Sequence, residues 1–170
     1  WIHAVSVGEV HAARGLIGHL AGLLPEIPVV LSTTTDTGQA LAKKADSAAC
    51  FYCPVDLPWA ISPYLDTLRP RAIVLVETEI WPNLLNACNQ RDIPIALVNG
   101  RLSSSSYGNY RRLGCLMKKV VSQLSTVCAR TNLEATRFRA LGIPPKRVFT
   151  TGNLKADALV LTSSVHSRQE

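Results

Sequence analysis

Short apolar runs alternate along the chain with amphipathic stretches. Residues 2–6 read as a strand. Residues 10–24 read as a helix, with Val10, Ala13, Ile17, Leu20 and Leu24 at helical spacing and Pro25 behind them. The alternation continues with strands at 28–32, 48–53, 71–76, 94–98, 126–129 and 147–151. Between them lie helices predicted at 39–45, 58–68, 82–89, 106–124 (the longest) and 132–141, the last closed by Gly142 and Pro144. Strands alternating with helices in this way predict a doubly wound, mostly parallel α/β sheet. The strands are apolar almost throughout, as parallel strands covered on both faces are. After Thr151 the rhythm stops, and the polar end SSVHSRQE reads as a linker or tail.

Composition narrows the picture. Of 170 residues 47% are apolar and 18% charged, which excludes disorder as the main state. Gly15–Pro25 is interrupted by His19 and glycines, and no apolar run approaches the roughly 20 residues of a membrane span. The formal charge of +6 favours anionic partners. The basic residues come as scattered pairs such as Lys43-Lys44 and Arg111-Arg112, with no dense block. Five cysteines, with Cys50 and Cys53 in CFYC, lack the second closely spaced pair that a zinc site wants. They are expected to be buried, reduced thiols, and no metal is expected.

In open α/β sheets ligands sit beyond the carboxyl ends of the strands. After the first strand come Ser6-Val7-Gly8-Glu9: a carboxylate opening a helix, either as a dipole partner or as a general base with a glycine beside it. After the second come Thr33, Thr34 and Thr35 before Asp36 and Gly38, hydroxyls that can cap a helix or hold an anion. After the fourth come Glu77-Thr78-Glu79-Ile80-Trp81. In an extended segment Glu77 and Glu79 point the same way, and two carboxylates beside a tryptophan suit a sugar. Arg101 follows the turn Asn99-Gly100 after the fifth strand, with a fork suited to phosphate or carboxylate. Lys155 and Asp157 follow the seventh, and spacing alone makes them a turn with a salt bridge.

Taken in order, WIHAVSVGEV, STTTDTG, PVDLP, VETEIWPNLL, LVNGRLSSSS and TGNLKAD resemble the amino-terminal half of bacterial 3-deoxy-D-manno-octulosonic acid (Kdo) transferase, from Trp1 to about Asp157. The resemblance implies a two-domain GT-B glycosyltransferase with two Rossmann-like halves. It implies transfer of Kdo from CMP-Kdo to a lipid A precursor, with inversion and without a metal or other cofactor. It places the reaction at the cytoplasmic face of the bacterial inner membrane, with peripheral membrane contact in the full-length protein. The amino-terminal half binds the acceptor, and the other half most of the donor.

Glu9 in SVGE matches the family's catalytic base, and Ser6 and Gly8 flank it in the same motif. Glu79, with Glu77, would shape the acceptor site. Arg101 and Lys155 are candidates for an acceptor phosphate or the Kdo carboxylate, and Thr33–Thr35 for a phosphate or sugar contact. Residues 1–157 are then expected to be the acceptor-binding domain and 158–170 a linker or tail. The donor-binding domain is expected to be absent, so the chain alone is expected to be inactive. The alternative reading is a non-catalytic basic α/β module for nucleotides or nucleic acid. Scattered basic residues, 6% aromatics and the lack of a nucleic-acid motif argue against it.

Overall fold

The computed structural model describes residues 1–154. Seven strands form one sheet, in chain order β1 (Ile2–His3), β2 (Val30–Thr33), β3 (Ala49–Tyr52), β4 (Ile73–Val76), β5 (Ile95–Gly100), β6 (Thr126–Ala129) and β7 (Val148–Thr150). Every pairing is parallel, and the order across the sheet is β3-β2-β1-β4-β5-β6-β7. The chain therefore winds outward from β1 to β3, returns, and winds the other way from β4 to β7. The reversal falls between β1 and β4, where the doubly wound fold opens its ligand crevice at the carboxyl ends of the strands.

The helices are α1 (Val7–Leu23), α2 (Asp36–Ala42), α3 (Pro58–Leu68), α4 (Pro82–Asn89), α5 (Ser104–Arg112), α6 (Gly114–Val121) and α7 (Asn132–Ala140). One core joins Val10, Ala13 and Ile17 of α1 and Ala42 of α2 to Ile2 and Leu31 of the sheet. The other gathers Ile61, Leu65, Leu84, Leu85, Val120, Val121 and Phe138 from α3, α4, α6 and α7 over Ile73, Leu75, Ile95 and Leu97. The apolar face of α1 thus packs on the sheet, as helical spacing of its apolar residues requires. Leu23, at the far end of that helix, is 76% exposed.

Two expectations are corrected here. The helix predicted over 106–124 is two helices, because Gly114 takes a left-handed φ of 51° and turns the chain between α5 and α6. The cysteines are all free, but only Cys88 is buried; Cys50, Cys53 and Cys128 are half-buried and Cys115 is exposed. Cys50 and Cys53 do reach opposite cores, as strand alternation predicts.

β5 carries a register irregularity against β6 between Leu97 and Gly100, where Asn99 is left-handed at φ 53°. The chain there runs close under α7. A Cβ on Gly100 would lie 3.1 Å from Cε2 of Phe138 and 3.3 Å from the Cys128 carbonyl oxygen. Both neighbours are fixed, one in the core and one in a strand. Gly100→Ala is expected to lower stability by about 1–3 kcal/mol, the usual range for overpacking, read as a fall in the urea midpoint at unchanged slope.

Candidate functional site

The turn from β1 into α1 is built around Glu9. Ser6 is the N-cap of α1 in extended geometry, which makes Glu9 the third residue of the first turn. The carboxylate reaches back: Oε2 accepts the Val5 N–H at 2.8 Å and Oε1 accepts the Ser6 hydroxyl at 2.9 Å. This resembles a capping box, but the serine hydroxyl donates to the glutamate and does not accept a helix N–H. Glu9 is buried, at 6% exposure, and burial raises its carboxyl above the ordinary glutamate value. The two hydrogen bonds oppose the shift, and the charges of Glu79 and Glu77 add to it.

Those two glutamates come from across the reversal point, in the loop after β4. The segment is not extended as expected. Glu77 is left-handed, with φ 62°, so the chain turns at once and the two side chains are not simple strand alternates. Its N–H donates to the Val98 carbonyl at 2.9 Å, ending the β4–β5 ladder. The Thr78 hydroxyl bonds to the Arg101 carbonyl, and the Arg101 N–H donates to Thr78 Oγ1 at 3.2 Å. The acidic loop is thereby stitched to the end of β5. Glu79 Oε2 accepts the Trp81 indole N–H at 3.1 Å. The Trp81 ring meets His3 edge to face, 5.4 Å between centroids. His3 is fully buried beside Ser32, whose Oγ lies 2.9 Å from His3 Nδ1 and accepts the Trp1 indole N–H at 2.6 Å. Burial pushes the His3 imidazole down to about 4, so it is neutral at physiological pH.

The threonines after β2 divide. Thr33 is buried and donates to Gln39 Oε1 at 2.6 Å. Thr35 caps α2 by accepting the Gly38 N–H at 3.1 Å, and donates to the Val5 carbonyl at 3.1 Å. Two of the three hydroxyls thus hold the protein together, while Thr34 stands exposed at the edge. Gly38 is there for closeness: a Cβ would lie 2.8 Å from Thr35 Oγ1 and 3.1 Å from the Val5 carbonyl oxygen.

The structure brings Ser6, Gly8, Glu9, Glu77, Glu79 and Arg101 to one edge of the sheet around the reversal. Lys155 lies outside the described residues. Sequence reasoning missed Asp56, which caps α4 from the loop after β3. Its Oδ1 accepts the Leu84 N–H at 2.8 Å and its Oδ2 the Asn83 N–H at 3.1 Å. PVDLP was visible, but an N-cap supplied by a distant loop has no local pattern. It also missed Tyr110 of α5, whose phenol is raised by burial, with the charge of Glu79 adding to the shift. An apolar cavity of about 410 Å³, lined by Leu20, Leu24, Ile27, Val29 and Leu68 among others, opens at the opposite, amino-terminal edge. Among the described residues no group of His, Cys, Asp and Glu could hold a metal ion.

The described residues form a Rossmann-like domain with a buried carboxylate at the reversal of its sheet, the position at which doubly wound folds bind their ligands. Solved structures agree on the fold. UDP-GlcNAc 2-epimerase from Neisseria meningitidis superposes at a TM-score of 0.70 with 14% identity, over 96% of this chain and 49% of that one. The Rickettsia bellii UDP-N-acetylglucosamine 2-epimerase gives 0.69 with 12% identity, over 96% and 47%.

Sequence comparison is more specific. Residues 1–158 match the family model described as 3-deoxy-D-manno-octulosonic-acid transferase (kdotransferase), and the chain belongs to that family. The Haemophilus influenzae 3-deoxy-D-manno-octulosonic acid transferase is 36% identical over 92% of this chain and 37% of its own length. The Bordetella pertussis transferase of the same name is 37% identical over 92% and 37%. The chain thus spans a little over a third of the length of these two relatives. Nothing in these matches supports a nucleotide- or nucleic-acid-binding module.

The buried Glu9 carboxyl makes stability depend on pH. Its value is raised in the folded chain, so its contribution is fully present below the ordinary glutamate value, 4.5, and is lost as pH rises through the raised value. Glu9→Gln cannot ionise. The melting temperature of Glu9→Gln relative to the parent is therefore expected to climb between about pH 4 and pH 7. A difference that stays flat across that interval would contradict the shift.

Proposed function

We propose that residues 1–154 form the acceptor-binding part of an inverting glycosyltransferase that moves Kdo from CMP-Kdo to a lipid A precursor. The observation that carries this is Glu9: a buried carboxylate of raised proton affinity, at the reversal of the sheet, with Glu79 and Glu77 beside it. In the reaction the acceptor's sugar hydroxyl oxygen attacks the anomeric carbon of the donor. The new C–O bond forms as the bond from that carbon to the CMP phosphate oxygen breaks. Glu9 takes the hydroxyl proton, and CMP leaves as a phosphate monoester anion. A base of raised value holds that proton better than an ordinary carboxylate does, and a phosphate leaving group asks for no strong acid. Glu79, oriented by the Trp81 indole, would hold neighbouring acceptor hydroxyls.

The lipid character of the acceptor is supported by apolar side chains at the same edge. Trp59 is 73% exposed, and Val55 and Leu57 stand exposed in the loop after β3. A surface of this kind suits peripheral contact at the cytoplasmic face of the inner membrane. The donor, in this reading, is held chiefly by residues outside the described ones, and the chemistry needs no metal or cofactor.

In a full-length transferase carrying this domain, Glu9→Ala is expected to lower kcat with CMP-Kdo and lipid acceptor by roughly 10²–10⁴-fold, the usual worth of a general base. KM should change only a few-fold, with circular dichroism unchanged. Activity within about threefold of the parent would reduce Glu9 to a helix-start acid.

A further inference from the structure

We propose that Arg130, together with Arg101, forms a seat for one phosphate-class anion at the carboxyl ends of β5 and β6. The charge of the chain is not evenly spread. Residues 101–147 hold ten lysines and arginines and a single acid, Glu134, whereas residues 1–100 hold six basic and nine acidic residues. Much of that basic charge is already engaged. Arg137 donates to the Leu102 carbonyl and the Ser104 hydroxyl. Arg139 donates to the Val148 carbonyl, and Arg147 to those of Ser122 and Leu124. Arg111 stacks on Tyr107.

Arg101 and Arg130 differ from these. Gly100 and Ala129 are register partners, and the Arg130 N–H donates to the Gly100 carbonyl at 3.1 Å. The two arginines therefore leave adjacent parallel strands side by side. Neither forms an ion pair or a side-chain hydrogen bond among the described residues, where the ion pair found is Arg91–Asp66. Arg130 Nε is buried and has no acceptor. Buried donors are nearly always satisfied, and like charges carried at adjacent strand ends repel, a cost that a shared anion would offset. A tetrahedral oxyanion supplies both needs, since the planar fork of arginine matches it in two-toothed fashion.

The position suits the site already described. Strands lie about 4.8 Å apart, which puts the β6 end roughly 10 Å from the acidic loop after β4 and roughly 15 Å from the β1 turn. Acids stand on one side of the edge and arginines on the other, joined where Thr78 bonds to Arg101. A sugar with a hydroxyl at the acidic end and a phosphate at the arginine end spans that distance. The sugar part of this inference rests on the acceptor reading; the anion seat does not.

The test is a titration of the 170-residue chain with inorganic phosphate, a hexosamine phosphate, the same hexosamine without phosphate, and CMP. It is followed by amide NMR at constant ionic strength. Both phosphate ligands are expected to shift the amides of residues 100–103 and 130–132, and the bare hexosamine to leave them in place. Arg130→Gln should weaken inorganic phosphate at least fivefold. Arg130→Lys, which keeps the charge and loses the fork, should weaken it less, and Lys119→Gln should stay within twofold. Competition by CMP for the same amides would assign the seat to the donor's phosphate; its absence with hexosamine phosphate bound would assign it to the acceptor's. Phosphate affinity within twofold of the parent in Arg130→Gln, or shifts confined to α5 and α6, would overturn the proposal. Neither result bears on the Glu9→Ala activity, so the two readings fail separately.

Discussion

The architecture of the site depends on one carboxylate turning back on its own backbone. Glu9 accepts the Val5 N–H and the Ser6 hydroxyl, and so fixes the angle at which β1 gives way to α1. The loop after β2 leans on the same turn. The N–H groups of Thr34 and Thr35 approach the Val5 carbonyl at 3.4 Å, and the Thr35 hydroxyl donates to it. Val5 is thus held through both of its polar backbone groups. Because the turn sits at the reversal of the sheet, ordering it orders the floor of the crevice. The same burial that orders it raises the proton affinity of Glu9.

Across the reversal the chain uses a different device. Glu77, directly after β4, and Asn99, at the register irregularity within β5, are both left-handed without being glycine. Such conformations are costly for ordinary residues and gather at functional edges. Here they are held by bonds that cross between loops: Glu77 N–H to Val98, Thr78 to Arg101, and Asn99 Oδ1 to the Leu154 N–H at 3.2 Å. The Trp81 indole then sets Glu79, with buried His3 behind the ring. His3 stays neutral and so adds no charge to a region that already gathers three carboxylates.

The layers of this fold were legible because periodicity is a local property. Val10, Ala13 and Ile17 mark the buried face of α1 from spacing alone, and the apolar run around Ile73–Val76 marks a covered parallel strand. Looking beyond strand ends located Glu9, Glu77, Glu79 and Arg101. Two kinds of information were missing. Left-handed φ at Glu77 and Gly114 leaves no trace in hydrophobic periodicity, so an extended pair and one long helix were expected where the chain turns. Contacts between distant loops leave no periodic trace. Asp56 at α4, the inward Thr33, and the unsatisfied Arg130 Nε all depend on neighbours far along the chain. Arg130 follows β6 directly, so the strand-end rule reaches it, but nothing in its local sequence separates it from a solvated arginine.

The central claim is that Glu9 is a buried carboxylate whose proton affinity is raised by its site, with Glu79 contributing. A carbon-13 NMR titration of the glutamate side-chain carboxyls measures this directly. The account predicts a Glu9 midpoint clearly above the ordinary 4.5, moving down when Glu79 is changed to Gln. A midpoint at or below 4.5, or one indifferent to Glu79→Gln, would contradict it.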